Sequence, residues 1–252
     1  MRFLVVGYGT VGRATALVLK TLGHEVWAYD VRREAFEDDP VGVNIGLRTD
    51  GVDAAFVCVP EWAVWEAVAL VADVPRIAVR STTPPGTVDA LSAKFGLKVS
   101  HIPEFLRERS WREDALRPHK IVIGECCREH GDFYEELFKP LGAPVVRVRP
   151  IESELIKLVN NAYLATQISF WNEVHKLCQH LGVDTHRIAE AVKLDPRVSK
   201  YGADFFGVPF GGKCLPKDLA TLIRTYRERG LSPRLLEAVA EVNRELGGGP
   251  WY

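Results

Sequence analysis

Residues 1–12 read MRFLVVGYGTVG, a short apolar run that passes directly into glycines at Gly7, Gly9 and Gly12. A Gly-x-Gly-x-x-Gly pattern alone carries little. Between a strand and a helix it makes a tight turn, lets backbone approach a pyrophosphate, and aims the free N–H groups of a helix start at the phosphates. That context is present here. The preceding run is strand-like, and GRATALVLKTLG, from Gly12 onward, repeats apolar residues three and four apart. Asp30 closes the next strand-like run, EVWAYD. A carboxylate there can accept from both ribose hydroxyls of NAD and repel the 2′-phosphate of NADP, while Arg32 and Arg33 beside it keep an NADP reading open.

Outward from this motif, AAFVCVP, RIAVRST, KVSHIP, KIVIGE and PVVRVRP continue the series of strand-like runs. Most are almost continuously apolar, as strands covered on both faces must be, which predicts a parallel α/β sheet. WAVWEAVALVADV has helical period between two of them. After Pro150 the pattern becomes helical: one long stretch from Glu152 to His180, then THRIAEAVK, KDLATLIRTYRERG and PRLLEAVAEVNREL, the last with Ser232 and Pro233 as cap and first-turn residues. The expected fold is a Rossmann-type dinucleotide-binding domain over 1–150 followed by an all-helical domain over 151–252.

The 252 residues are 47% hydrophobic and 26% charged with a net charge of -1, the composition of a soluble globular chain. There is no basic footprint for nucleic acid or anionic lipid, and no run approaches a membrane span or a signal-peptide core, so a cytoplasmic location is expected. Cys58, Cys126, Cys127, Cys178 and Cys214 are odd in number and lack the spacing of a zinc site or disulfide framework, which predicts reduced thiols and no metal.

One cysteine stands apart. In PFGGKCLPKD, residues 209–218, Cys214 follows Gly211, Gly212 and Lys213 and precedes a helix start. The positive end of that helix, with Lys213 and Lys217, favours a thiolate. Its blander reading is a small buried thiol in a glycine-rich turn.

Together with GYGTVG, the ordered segments RSTTPPGT, PEFLRE, ELIKLVNNAYLATQISFWNEV and FGGKCLPKDL resemble the UDP-glucose and GDP-mannose (nucleotide-sugar) 6-dehydrogenases, from residue 1 to about residue 245. The resemblance covers two of that family's three domains, the nucleotide-binding third domain being outside it. It implies oxidation of a sugar C6 alcohol to a carboxylate with NAD. A cysteine is needed because an aldehyde carbon gives up a second hydride only after a nucleophile makes it tetrahedral.

By this resemblance Cys214 is the nucleophile and Asp218 the base that orients water. Lys157 and Asn161, one helical turn apart, stabilise oxyanions. Glu108 assists thioester hydrolysis, and Thr82 lies near the nicotinamide and the water. The cofactor set is Gly7, Tyr8, Gly9, Thr10, Val11, Gly12, Asp30, Arg32, Cys58, Val59, Pro60, Ser81, Thr82 and Lys217. The substrate set is Glu104, Phe105, Leu106, Arg107, Phe210, Gly211 and Gly212. The blander readings remain: a snorkelling Lys157, a core Asn161, solvated Glu104 and Glu108, a turn hydroxyl at Thr82, and a first-turn acid at Asp218.

The chain departs from the family at Ile102, where Asn usually precedes PEF, and after CVP, which runs into Glu61 and Trp62. Two further readings stay open: a hydroxy-acid or sugar-acid dehydrogenase of the 6-phosphogluconate dehydrogenase-like group, in which Cys214 is incidental, and a non-catalytic NAD-binding subunit. The expected partners are a nucleotide sugar, a second copy of the chain covering the apolar run LLEAVAEV, and a separate chain that supplies the third domain.

Overall fold

The computed structural model describes residues 1–212 and 214–249. The chain divides between Lys157 and Leu158 into two compact units. The division falls within a helix, a turn or two beyond the boundary expected at 150.

The first unit is a sheet with strands β1 (Arg2–Val6), β2 (Glu25–Tyr29), β3 (Asn44–Ile45), β4 (Ala54–Val57), β5 (Ile77–Val79), β6 (Val99–His101), β7 (Ile121–Gly124) and β8 (Val145–Val148). Their spatial order is β3-β2-β1-β4-β5-β6-β7-β8. The chain order reverses direction at β1, and a ligand of an open α/β sheet binds at such a point, outside the carboxyl ends of the strands. All pairings are parallel except β6 with β7, which meet antiparallel at His101 and Gly124. The expected parallel sheet is therefore mixed. The chain between β6 and β7 makes only the short helix α4 (Trp111–Leu116) instead of a full crossover. The two-residue β3 was not foreseen, since Asn44–Ile45 is too short to show a period.

Helices α1 (Thr10–Thr21), α2 (Val64–Leu70), α3 (Thr87–Phe95) and α5 (Arg128–Phe138) complete this unit. Alternation along β1 explains why its sequence is continuously apolar. Phe3 and Val5 join one core with Val26, Ala28, Phe56 and Leu19 of α1, while Leu4 and Val6 join the opposite core with Ala55, Val57, Val68 and Leu91. Each of these side chains contributes on the order of 1.5–3 kcal/mol on burial if large.

Helix α6 (Pro150–Leu181) starts with Pro150 in its first turn and Glu152 reaching back to accept from the Arg149 N–H at 2.8 Å, half of a capping box. The second unit continues α6 with α7 (Thr185–Val192), α8 (Leu215–Glu228) and α9 (Arg234–Glu245). Leu158, Ala162, Ala165, Ile168, Leu219, Leu222, Ile223 and Val239 form its main core. Ser232 does not cap α9; the residue preceding the helix is Pro233, with no side-chain cap bond. Much of LLEAVAEV is covered within the chain, because Val239 is buried and Leu236 and Ala240 pack beside it. Leu235 of that run stays exposed, and α6 carries a series of exposed apolar residues at Val159, Tyr163, Phe170, Leu177 and Leu181.

Candidate functional site

In the first unit, the glycine-rich loop is fixed by its own crowding. Gly7 has φ +90, and a Cβ there would sit 2.4 Å from the Cys58 carbonyl oxygen and 2.8 Å from Val59 Cγ1. A Cβ on Gly12 would lie 1.9 Å from the Gly7 carbonyl oxygen. These positions therefore admit no side chain, and the turns after β1 and β4 lie against each other. Gly9 faces open space and precedes α1, whose first turn has no side-chain cap and no acidic residue. Thr10 and Val11 begin that helix. Open space in front of uncapped helix N–H groups fits a pyrophosphate, so the residues present fit NAD at this loop.

Asp30 holds the loop from below. It accepts from the Tyr8 N–H at 2.8 Å and the Arg32 N–H at 2.9 Å, with the Arg32 guanidinium at 3.4 Å. Burial opposes its ionisation, but these donors prevail and hold the carboxyl below its ordinary value. The Tyr8 side chain is fully buried, stacks on Phe36 and donates to Asp39 at 2.6 Å, so only its backbone faces the loop. Ser81 Oγ accepts from the Val59 N–H at 3.0 Å and so positions the Cys58–Val59–Pro60 turn. Cys58 is buried beside Thr15, and burial pushes its thiol up to about 11, which leaves it neutral near physiological pH. Thr82, next to Ser81 in the chain, is half-buried.

The same unit contains a buried ion pair. Lys157 Nζ donates to the Glu104 carbonyl at 2.7 Å and to Glu104 Oε1 at 3.0 Å, with side-chain exposures of 4% and 8%. Glu104 is thus not solvated and Lys157 does not snorkel. Glu104 also accepts from the Leu106 N–H at 2.6 Å, closing the turn that carries Phe105. The Lys157 ammonium lies 5.4 Å and that of Lys120 4.3 Å from the Phe105 ring centroid. Arg107 turns outward to a bidentate pair with Asp114, and Glu108 is exposed on a short turn. A cavity of about 60 Å³, lined among others by Arg80, Glu104, Phe105, Leu106 and Lys120, opens beside this turn.

Sequence reasoning missed two neighbours of this site. Glu154 is fully buried and accepts from the Gly86 N–H at 2.6 Å, the Val88 N–H at 3.0 Å and Thr83 Oγ1 at 2.9 Å, which fixes the loop after β5. Burial still pushes its carboxyl up to about 7. His101 is buried between Ser153 Oγ at 2.9 Å and the Ser81 carbonyl at 3.2 Å, and desolvation lowers it to about 4. Glu154 had a legible signal: it precedes Lys157 by three and Asn161 by seven, the spacing of one helix face. His101 had none.

In the second unit, Asp218 is wholly buried in the first turn of α8. It accepts from Asn161 Nδ2 at 2.6 Å and from Lys217 Nζ at 2.6 Å. Asn161 is therefore satisfied by a side chain rather than by backbone, and Lys217 is committed to Asp218. Cys214 is exposed, immediately precedes α8, and its carbonyl accepts the Asp218 N–H at 2.9 Å. The buried-thiol reading of Cys214 is thereby removed. Phe210 is a core residue whose N–H and C=O are both held by the Asn243 amide, while Gly211 and Gly212 are exposed. Lys213 lies outside the described residues. None of the five cysteines is in a disulfide among the described residues, and no described helix is long and apolar enough to cross a membrane.

Known proteins share this arrangement of sequence and fold. The UDP-glucose/GDP-mannose dehydrogenase family's NAD binding domain matches residues 62–142, and its central domain matches residues 151–245. The UDP-glucose 6-dehydrogenase AglM of Haloferax volcanii is 30% identical, over 96% of this chain and 69% of its own length. TuaD, a UDP-glucose 6-dehydrogenase of Bacillus subtilis, is 36% identical over 66% of this chain and 38% of its own length. A solved UDP-glucose dehydrogenase from Pyrobaculum islandicum superposes with a TM-score of 0.89 at 32% identity, covering 97% of this chain and 68% of the other. A 3-hydroxyisobutyrate dehydrogenase of Mycobacterium tuberculosis, at 15% identity and a TM-score of 0.81, shares the fold alone. The glycine loop with Asp30, the family's two matched domains and these relatives lead to one conclusion: the chain belongs to the UDP-glucose/GDP-mannose dehydrogenase family, as an NAD-dependent oxidoreductase acting on CH–OH donors.

Proposed function

We propose that this chain oxidises the C6 alcohol of a nucleotide sugar, in the first instance UDP-glucose, to the carboxylate. The observation that carries the proposal is the second unit's constellation: an exposed Cys214 thiol at the start of α8, one turn before a buried Asp218 fixed by Asn161 and Lys217. The helix N-terminus favours the Cys214 thiolate, which adds to the aldehyde carbon to form a thiohemiacetal. When bound, NAD would supply the acceptor for both hydrides, one lost as the alcohol becomes the aldehyde and one as the thiohemiacetal becomes the thioester, each to a separate NAD. Water then attacks the resulting thioester, giving the carboxylate and returning the thiol. Asp218 keeps acceptor capacity beyond its two bonds and orients that water. The Lys157 ammonium and the Asn161 amide stabilise the oxyanions. Glu108 and Thr82 keep their assisting parts by resemblance.

By resemblance, Phe210, Gly211 and Gly212 are sugar-binding residues of the second unit, and Glu104, Phe105, Leu106 and Arg107 are substrate-binding residues of the first. The nucleotide's contacts come from the polypeptide that corresponds to the remaining third of the relatives, so nucleotide sugars bind weakly to these 252 residues by themselves. The apolar residues on α6 form a homodimer face, which sedimentation tests. Incubation with NAD and a panel of nucleotide sugars should yield two NADH per substrate oxidised. Cys214→Ala should keep NAD affinity and lose acid formation. Undiminished acid formation by that variant, or one NADH per substrate in the unmodified protein, rejects the thioester route.

A further inference from the structure

Away from the dehydrogenase site, the corner between β7 and α5 gathers Cys126, Cys127 and His130. One ligand atom from each lies within 4.8 Å of the other two. Cys126 Sγ and His130 Nδ1 are 3.2 Å apart, close to the ligand separation at a tetrahedral ion with metal–sulfur bonds of about 2.3 Å and metal–nitrogen bonds of about 2.0 Å. Ser100 Oγ donates to Cys126 Sγ at 3.4 Å, an outer bond of the kind that orients a ligating thiolate. Cys127 is the residue preceding α5, where the positive end of the helix favours its anion.

A separate observation points to a ligand here. The Tyr134 hydroxyl is buried without a hydrogen-bond partner among the described residues, and it lies within electrostatic range of both thiols. A buried polar group left unsatisfied calls for an explanation, such as an ion or water at the site.

From this geometry we infer that Cys126, Cys127 and His130 bind one thiophilic divalent cation of the zinc class, independently of the NAD-linked reaction. Two thiolates neutralise the ion's charge, so Arg76 and Lys98, which lie within electrostatic range of His130, oppose binding little. Glu129, paired with Arg76 at 3.3 Å, reduces that opposition further. Two thiol protons leave to solvent for each ion bound. The bound ion ties the carboxyl end of β7 to the start of α5 and so acts as a staple of the NAD-binding unit.

The test uses the reduced, chelator-stripped protein in a Cys214→Ser background, which removes the exposed thiol as a competing ligand. Anaerobic titration with Co²⁺ is followed by absorption, and Zn²⁺ by competition with a chromophoric chelator. The expected result is one equivalent per chain, a thiolate-to-cobalt charge-transfer band with tetrahedral ligand-field bands, and a rise in melting temperature with Zn²⁺. Cys126→Ser and Cys127→Ser should abolish the charge-transfer signature, and His130→Asn should weaken affinity by about tenfold or more. Ser is a favourable helix cap, so Cys127→Ser keeps α5 intact and its effect reports ligation alone. The inference is overturned by either of two results: no charge-transfer band at stoichiometric Co²⁺, or equal affinity in Cys127→Ser.

Discussion

Replacing Lys157 by Met removes one member of a buried ion pair and strands the other. Glu104 is 8% exposed as a side chain and would retain, among the described residues, the Leu106 N–H as its hydrogen-bond donor, with the buried Arg80 guanidinium within electrostatic range. Breaking a buried pair from one side costs about 3–5 kcal/mol, because the remaining charge stays desolvated. The surviving N–H bond places the expected loss at the lower end, about 3 kcal/mol. At roughly 2–4 °C per kcal/mol for a chain of this size, the melting temperature should fall by about 6–12 °C. Urea unfolding followed by circular dichroism measures the free energy directly. The double variant Lys157→Met, Glu104→Met removes both charges and should recover much of the loss, with a coupling energy on the order of 2 kcal/mol. Restored stability without restored oxidation would separate the structural role of Lys157 from a catalytic one. A single-variant loss below about 1 kcal/mol, or no coupling, would refute the desolvated-pair argument.

Three further perturbations follow from the site. His101 is held neutral, its value lowered from 6.5 to about 4, so its contribution is complete above pH 6.5 and disappears as pH falls toward 4. Against His101→Gln, the unmodified protein should lose roughly 3 kcal/mol of relative stability across that window. Glu154, raised to about 7, acts with the opposite sign between its ordinary value and there, so the comparison must be with the variant. A pH-independent difference rejects the buried neutral imidazole. Gly12→Ala forces a Cβ to within 1.9 Å of the Gly7 carbonyl oxygen, so NAD affinity measured by calorimetry should drop by about tenfold or more; an unchanged Kd rejects the crowded-turn account. Asp30→Asn retains an acceptor for the Tyr8 N–H while removing the negative charge, so it should narrow the preference for NAD over NADP without unfolding the loop. A clear NADP preference in the unmodified protein overturns this role.

Much of this protein was settled by the sequence alone, wherever the determining interactions are local. A strand covered on both faces must be apolar at nearly every position and a helix repeats at 3.6, so seven strands were legible as short apolar runs and the long helix from apolar spacing. The glycines at 7 and 12 were legible because only a missing Cβ allows that turn. Cys214 ahead of α8 and Asp218 in its first turn also stand close together in the chain.

Tertiary structure decided what depends on partners far apart in sequence. Whether Lys157 is a surface or a buried cation turned on Glu104, 53 residues away, and whether Asn161 packs or binds turned on Asp218, 57 residues away. The reversal of β7 depended on how the chain returns after β6, which no period encodes. Cys126, Cys127 and His130 are neighbours in sequence, but only the helix start at Arg128 brings their donor atoms within 4.8 Å of one another, in electrostatic range of the Tyr134 hydroxyl. Burial is a property of the packed chain, and desolvation is what turns those residues from polar side chains into constrained charges and ligands.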